Sequence, residues 1–154
     1  MDEKLKELQH EDARFLIIAA WDNHDAVVDE RKCNDVLVIG FAHFRFEQDK
    51  SESSAKKVVI PITYLYELQI SPNYTSHGLG YKLMTLIELL SYQFHMVKIV
   101  LTVFKCNAGA MKFYLNKMKG YQVDDCSPSN FEGEENENAE YEILSKSLVG
   151  RKKI

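Results

Sequence analysis

Apolar positions between Val58 and Leu90 change from the period of a strand to the period of a helix, and the rest of the chain is arranged around this change. Val58–Ile70 is a run of apolar and aromatic residues of strand length. A turn with proline and glycines follows, and His77–Phe94 then carries apolar residues at helical spacing. The predicted apolar stripe of this helix consists of Leu79, Leu83, Leu86, Ile87, Leu90 and Phe94.

Two strands are predicted before this unit. Residues 13–21 are apolar and bounded by charge, which predicts a core strand that ends at Trp21, and an exposed acidic loop follows through Asp35. Val36–Glu47 alternates between an apolar and a polar face, which predicts a strand with one side packed on a helix and a bulge at Gly40. Residues 48–57 are polar and predict a hairpin loop. Pro61 cannot donate a backbone hydrogen bond and predicts an edge or irregular position.

The pattern after the long helix predicts one more helix and three more strands. The strands are Lys98–Val103, Gly120–Asp124 and Glu140–Leu148, the short helix follows Asn107, and a long acidic loop precedes the last strand. Leu5 and Leu8, spaced three apart among charged residues, predict the last turns of an amphipathic helix. The prediction is one domain over residues 1–154, with a core of 13–147, an N-terminal helix end at 1–12 and a tail at 148–154.

The turn from Thr75 to Gly80 carries the first functional signal. Backbone N–H groups and the helix dipole at such a helix entry suit a phosphate or pyrophosphate. Gly78 and Gly80 resemble the acetyl-CoA loop of the GNAT superfamily of N-acetyltransferases, Arg/Gln-x-x-Gly-x-Gly/Ala, with Thr75 in place of Arg or Gln. The resemblance implies acetyl-CoA as cofactor and an α+β GNAT fold: a central, mostly antiparallel, splayed sheet with helices on both faces.

Longer sequence segments extend the resemblance to the NatD-type N-terminal acetyltransferases, which modify histone H4 and the type-2A core histone. These segments are GFAHFRFE, YLYELQ, TVFKCNAGAMKFY, DDCSPS and EYEILSKS, and the resemblance spans Ala13 to Ser147. It implies acetyl transfer to the α-amine of a Ser-Gly-Arg-Gly terminus by direct attack in a ternary complex. It also implies a monomer without an auxiliary subunit, located in nucleus and cytoplasm. The sequence shows no exposed apolar helix suited to docking.

The chemistry requires a neutral amine, and an α-amino group with a pKa of about 7.7–8.0 is far closer to that state than a lysine at about 10.4. A carboxylate acting through one water is sufficient help. The resemblance assigns this role to Glu67 beside Tyr66, and makes Tyr114 an optional acid for the departing thiolate. Strand alternation places Glu67 opposite Tyr64 and Tyr66 unless the strand bulges there, and a solvent-facing glutamate is the alternative.

The resemblance also assigns the residues that face the two ligands. Those facing the cofactor are Leu68, Gln69, Ile70, His77, Gly78, Leu79, Gly80, Tyr81, Asn107 and Tyr114. Those facing the substrate are Trp21, Glu47, Asp49, Tyr64, Tyr66, Glu67 and Tyr141, of which Glu47 and Asp49 bind the arginine. Without the family context, the aromatic residues are equally well explained as core packing and the two carboxylates as solvated groups.

Composition and net charge exclude several classes of protein function. The 154 residues are 45% hydrophobic and 27% charged, which is typical of one globular domain. A net charge of −4 argues against direct nucleic-acid binding and is compatible with a basic partner. The charged N-terminus and the lack of a long apolar run predict an intracellular protein without membrane association.

Three scattered cysteines, Cys33, Cys106 and Cys126, predict structural thiols rather than disulfides or a zinc site, and no metal is required. Two other functions stay open at this point. One is a lysine or small-amine acetyltransferase, and the other is an acyl-CoA-binding module without turnover.

Overall fold

The computed structural model describes residues 3–21, 36–51 and 58–149. In these ranges, the strands are β1 (Arg14–Trp21), β2 (Val36–Ser51), β3 (Val58–Ile70), β4 (Lys98–Phe104), β5 (Gln122–Val123) and β6 (Tyr141–Ser147). These six strands form one sheet in the order β1-β2-β3-β4-β6-β5, in which only β3 and β4 are parallel. The helices are α1 (Glu3–Leu8), α2 (Leu79–Gln93), α3 (Ala108–Lys112) and α4 (Glu134–Glu137). None of these helices has the length and hydropathy of a membrane span.

The core lies between α2 and one face of the sheet. Its fully buried apolar side chains include Ala42, Met84, Ile87, Ile99 and Leu144. Two polar groups in this layer satisfy each other, because the hydroxyls of Thr63 and Ser91 share a hydrogen bond of 2.6 Å. Ser91 also donates to the carbonyl oxygen of Ile87 at 2.7 Å. The apolar face predicted for β2 therefore packs on a helix, as expected.

The opposite face of the sheet is contacted by the short helix α1. Arg45 donates from Nη2 to the carbonyl oxygen of Glu7 at 2.6 Å, and Lys4 Nζ lies 2.7 Å from Glu67 Oε2. Since α2 covers the other face, helices lie on both sides of the sheet, which confirms that prediction.

The buried side of α2 is turned relative to the predicted stripe. Leu83 and Ile87 are buried as predicted, but Met84 and Ser91 complete the buried side. Leu86 and Phe94 are 48% and 55% exposed, so their assignment to the stripe was wrong. Successive helical residues are about 100° apart around the axis, so a contact centred between Met84 and Ile87 leaves Leu86 about 130° from that centre, on the outer side of the helix.

The outer side of α2 is apolar, which corrects the expectation of no exposed apolar helix. Leu86, Leu89 and Tyr92 are 48%, 61% and 70% exposed. The monomeric state stays a prediction.

We expect Ile87→Ala to lower the free energy of unfolding by about 2–5 kcal/mol, because truncating a fully buried side chain leaves a cavity. Leu86→Ala removes a similar volume from the exposed side and should lower it by less than about 1 kcal/mol. Urea denaturation followed by circular dichroism measures both. Equal losses in the two variants would favour the stripe predicted from the sequence.

β1 is an edge strand rather than a strand buried on both faces. Leu16 and Ile18 pack against the core, whereas Ile17 is 61% exposed. The predicted bulge in β2 is confirmed, because the β1–β2 register shifts where Gly40 pairs with Ile18. A Cβ at Gly40 would lie 2.6 Å from Ile70 Cδ1 and 3.0 Å from the carbonyl oxygen of Gln69, so a side chain here would displace Ile70 and crowd the backbone of β3.

β2 extends further into the hairpin with β3 than predicted. Residues 48–51 were predicted as loop but continue β2, pairing from Gln48 opposite Pro61 to Ser51 opposite Val58. Pro61 lies in the first part of β3, which pairs with β2 but not yet with β4, so the predicted edge position is confirmed. Its carbonyl accepts from the N–H of Val97 at 2.8 Å, just before the pairing with β4 begins, so the missing proline donor falls outside that ladder.

The other elements are close to the prediction. The strand predicted at 120–124 is shorter, at Gln122–Val123, and the acidic loop contains the short helix α4. Cys106 and Cys126 are free thiols. The predictions for the loop at 22–35, for Cys33, for the loop tip at 52–57, for the Trp21 side chain and for the end of the tail lie outside the described residues.

Candidate functional site

An irregularity in β3 determines the geometry of the candidate site. His43 pairs with Glu67, but the next residue, Phe44, pairs with Leu65, so Tyr66 is an extra residue without a partner on β2. A β-bulge of this kind re-aims the side chains on either side of it. Glu67 therefore projects to the same face as Tyr66, toward α1, which resolves the alternative that strand alternation left open.

Glu67 is surrounded by polar groups. Its Oε2 lies 2.7 Å from Lys4 Nζ, its other oxygen accepts from Gln69 Nε2, and its side chain is 17% exposed. The hydrogen bond from Lys4 to Glu67, with a second one to Glu7, raises the pKa of Lys4. His43, the cross-strand neighbour, is fully buried, and this burial lowers its pKa. The carboxylate thus lies at the boundary between α1 and the sheet.

Tyr66, the chain neighbour of Glu67, is hydrogen-bonded to β2. Its hydroxyl donates to Glu47 Oε1 at 2.5 Å, and burial together with this hydrogen bond raises the pKa of Tyr66 to about 12. The Arg45 guanidinium lies 4.4 Å from the centre of the Tyr66 ring, and the His43 ring is stacked at 5.0 Å. Tyr66 therefore keeps its proton at neutral pH and has little freedom to move.

The structure brings four predicted substrate residues together: Glu47, Tyr64, Tyr66 and Glu67. The rings of Tyr64 and Tyr66 are 4.9 Å apart, and the Tyr64 hydroxyl shares a hydrogen bond of 2.6 Å with Thr102. Tyr141 lies on β6, opposite Phe104, and is 38% exposed.

Asp49 does not join this group in the structure. It pairs with Lys98 at 2.8 Å, and Lys98 also lies 3.3 Å from Asp124. Its predicted role in binding arginine therefore conflicts with an ion pair that the fold already contains.

A cleft opens where β3 and β4 separate. The two strands pair only from Ile62 with Lys98 to Leu65 with Leu101, so the sheet is splayed as predicted. The cleft has a volume of about 700 Å³. Seven of the predicted cofactor residues line it: Leu68, Ile70, Gly78, Leu79, Gly80, Tyr81 and Tyr114.

Three predicted cofactor residues have other contacts. Gln69 is bonded to Glu67. His77 is exposed, with Nδ1 2.8 Å from the carbonyl oxygen of Thr75. Asn107 caps α3, its Oδ1 accepting from the N–H of Ala110 at 3.0 Å. Their roles toward the cofactor stay predictions.

The far wall of the cleft contains residues that sequence reasoning missed. Gly109, Phe113 and Lys117 line it together with Tyr114. Their spacing of four residues is the available signal, since it places all three on one side of a helix. The helix changes to a π-helical turn at Phe113–Lys117, a feature often found at functional sites.

Tyr114 projects into this cleft from a buried position, with 6% of its surface exposed. Burial raises the pKa of Tyr114 well above its ordinary value. The hydroxyl therefore stays protonated at neutral pH and is available as a hydrogen-bond donor, although the raised pKa makes it a weaker acid.

The turn at the mouth of the cleft fits a phosphate chain. Gly78 has a φ of +73°, which favours glycine, and a Cβ there would meet no atom within 4 Å. A Cβ at Gly80 would lie 3.7 Å from the Phe113 ring, so the two glycines leave the backbone bare next to the cleft. The backbone edge of β3 beyond Leu65, which β4 leaves unpaired, suits an extended arm such as pantetheine.

The family follows from a comparison with family models. Residues 1–121 match the model of the acetyltransferase (GNAT) family. The chain belongs to this family. It is a GNAT-type acetyltransferase with acetyl-CoA as cofactor, and its six-stranded mixed sheet with helices is the GNAT fold.

Solved structures agree with this assignment. The NatC complex bound to Gag peptide and CoA is 17% identical, with a TM-score of 0.55 over 79% of this chain and 69% of that one. Arabidopsis thaliana Naa50 in complex with the bisubstrate analogue CoA-Ac-MVNAL is 25% identical, with a TM-score of 0.52 over 73% and 67%. The PaiA N-acetyltransferase of Thermoplasma acidophilum with coenzyme A is 19% identical, with a TM-score of 0.55 over 93% and 65%. The GNAT chain described here thus spans about two thirds of each neighbour.

The two glycines of the GNAT turn are expected to respond differently to alanine. Gly78→Ala should lower the free energy of unfolding by about 1–2 kcal/mol, because its left-handed conformation strains any side chain. Gly80→Ala lies inside α2 with ordinary contacts, and the motif of the family accepts alanine at this position, so this variant should keep both the stability and the affinity for acetyl-CoA. Thermal melts and titration with acetyl-CoA test the pair, and equal losses of stability in Gly78→Ala and Gly80→Ala would contradict this difference.

Proposed function

We propose that this protein transfers the acetyl group of acetyl-CoA to the α-amino group of N-termini that begin Ser-Gly-Arg-Gly, those of histone H4 and the type-2A core histone. The observation that carries the proposal is the bulge at Tyr66. It places the carboxylate of Glu67 beside Tyr66, one residue before Leu68, which lines the cofactor cleft. The sequence segments that resemble NatD-type enzymes support the choice of substrate. The complex of Naa50 with CoA-Ac-MVNAL, in which one ligand joins a peptide to the cofactor, supports a peptide N-terminus.

Acetyl-CoA supplies the acetyl group as an activated thioester. Glu67 receives the proton that the amine loses as it attacks, through one water. This requires only modest basicity, since the α-amine titrates at about 7.7–8.0. Tyr64 and Tyr66 hold the backbone of the first residues. Tyr114 offers a hydrogen bond to the leaving sulfur from inside the cleft, and a thiolate whose conjugate thiol has a pKa of about 8.5 can leave with little further help.

The substrate proposal extends to charge and partners. A chain with a net charge of −4 attracts a basic tail, and this attraction speeds encounter at low salt. We propose that the protein acts without an auxiliary subunit and meets its histone substrates in both cytoplasm and nucleus.

The deciding experiment is incubation with acetyl-CoA and a peptide that begins Ser-Gly-Arg-Gly and contains lysine. Fragmentation mass spectrometry should find one acetyl group on the α-amine and none on an N-terminally blocked twin. Acetyl groups on lysine side chains of both peptides would instead establish a lysine acetyltransferase. Binding of acetyl-CoA without any mass gain on a peptide would establish a binding module without turnover.

A further inference from the structure

A second depression lies next to the cluster of Glu47, Tyr66 and Glu67. Its volume is about 450 Å³. β1 begins its pairing only at Arg14 with Phe44, so the following part of β2 is open on that side among the described residues. Its lining comes from the turn before β1 and from β2, with one residue of β3 and one that follows α2: His10, Asp12, Arg45, Phe46, Glu47, Gln48, Pro61 and Met96.

One hydrogen bond connects the depression to Tyr66, the residue that precedes the candidate base Glu67. Glu47 lines it, and the carboxylate of Glu47 accepts from the Tyr66 hydroxyl at 2.5 Å. Tyr66 immediately precedes Glu67. In an extended peptide the third residue lies about 7 Å from the first, so a terminal amine at Glu67 leaves the third side chain within reach of the depression.

The polar groups of the depression match a peptide that carries a cationic side chain. Asp12 has a side chain that is 59% exposed, and Arg14 donates to its backbone carbonyl rather than to its carboxylate. The Nδ1 of His10 lies 3.8 Å from Asp12 Oδ2 but already accepts from the backbone N–H of Asp12 at 3.1 Å. Asp12 and Glu47 therefore contribute two carboxylate residues to the lining of one depression.

Arg45 provides an independent indication of a ligand. It lines the depression and is only 8% exposed, yet its Nε–H has no hydrogen-bond partner among the described residues. Its Nη2 is already bound to the carbonyl of Glu7, and its plane lies against Tyr66. A buried donor without a partner is unfavourable, and the carbonyl oxygen of a bound peptide would satisfy it.

We propose that Asp12, rather than Asp49, joins Glu47 in binding the arginine at the third position of the substrate. The inference rests on the proposed function and names the specificity residue of that same site. Asp49 is held by Lys98 at 2.8 Å, whereas Asp12 shares the depression with Glu47. An arginine between two carboxylates forms charge-assisted hydrogen bonds, which are stronger than neutral ones.

The test compares Asp12→Asn, Asp49→Asn and the control Glu11→Gln with two peptides, Ser-Gly-Arg-Gly and Ser-Gly-Ala-Gly. Glu11 is the matched control because it is exposed next to Asp12 but does not line the depression. Asp12→Asn should raise KM for the arginine peptide about tenfold, leave kcat within twofold and leave KM for the alanine peptide unchanged. Asp49→Asn and Glu11→Gln should leave the ratio of the two KM values as in the wild type.

Isothermal titration of the same variants with the arginine peptide, without acetyl-CoA, separates this inference from the proposed function. A wild type that acetylates the arginine peptide while Asp12→Asn binds it equally well would overturn the inference alone. The inference is also wrong if Asp12→Asn weakens both peptides equally, or if Asp49→Asn carries the arginine-specific loss. Asp12-dependent binding of the arginine peptide without acetylation would support the inference and overturn the proposed function.

Discussion

Glu67→Gln is expected to lower kcat/KM for a Ser-Gly-Arg-Gly peptide by about 10²- to 10⁴-fold, the range of a lost general base. Glutamine has the size of glutamate and keeps an acceptor for Gln69, but its amide does not take a proton at neutral pH. The loss should fall on kcat, because peptide contacts through Glu47, Tyr64 and Tyr66 remain. Steady-state kinetics at pH 7 measure it.

Stability and cofactor binding distinguish this effect from a folding defect. The ion pair with Lys4 is lost in the variant, but Lys4 is 45% exposed, and pairs at such positions contribute about 1 kcal/mol or less. The affinity for acetyl-CoA should stay within twofold, since the side chain of Glu67 projects toward α1 rather than into the cleft. Glu3→Gln, an exposed glutamate on the same helix as Lys4, is the matched control.

The dependence on pH provides a further check. Above about pH 8 the α-amine is neutral without assistance, so the deficit of Glu67→Gln should shrink as the pH rises through this value. A variant that retains kcat within a few-fold at pH 7 would remove Glu67 as the base, whatever the peptide specificity of the enzyme.

The elements of this fold were predictable where their signal is local. The helical period predicted α2 within two residues at its N-terminus and one at its C-terminus, and alternation predicted the two faces of β2. The period does not say where the neighbouring sheet touches the helix. Leu86 was therefore placed in the apolar stripe although it lies on the outer side of α2.

The catalytic arrangement was predictable only in part, because it depends on contacts between distant residues. The bulge at Tyr66 arises from the register between β2 and β3, which no single strand reveals. Nor does the sequence show that Asp49 pairs with Lys98 across the sheet. The glycine turn was easier to predict, since Gly78 and Gly80 act through the backbone and leave a recognisable motif.

Asp124→Asn is expected to produce the largest loss of stability among the polar variants, about 3 kcal/mol at pH 7. Asp124 is 7% exposed and accepts from both the backbone N–H and the thiol of Cys126, at 3.1 and 2.8 Å. Burial alone would raise the pKa of Asp124. The hydrogen bonds from Cys126 and Ser145 and the charge of Lys98 outweigh burial and hold this pKa at about 2.

The sign of the pH effect follows from this lowered pKa. A carboxyl group that titrates at about 2 in the folded chain and at 3.8 when unperturbed stabilises the fold above 3.8. The contribution is about 2 kcal/mol and should disappear as the pH falls from about 4 to about 2. Urea denaturation at several pH values should show this loss in the wild type, and Asp124→Asn should lack that part of the pH dependence.

Asp125→Asn is the matched control, because Asp125 is adjacent and exposed. Equal stabilities of the Asp124 and Asp125 variants would contradict the prediction. Asp49→Asn should lower the free energy of unfolding less than Asp124→Asn does, since Asp49 is the more exposed of the two carboxylates that pair with Lys98. A stability loss in Asp49→Asn, together with unchanged preference for the arginine peptide, would mean that this carboxylate stabilises the sheet and leaves substrate recognition to Asp12 and Glu47.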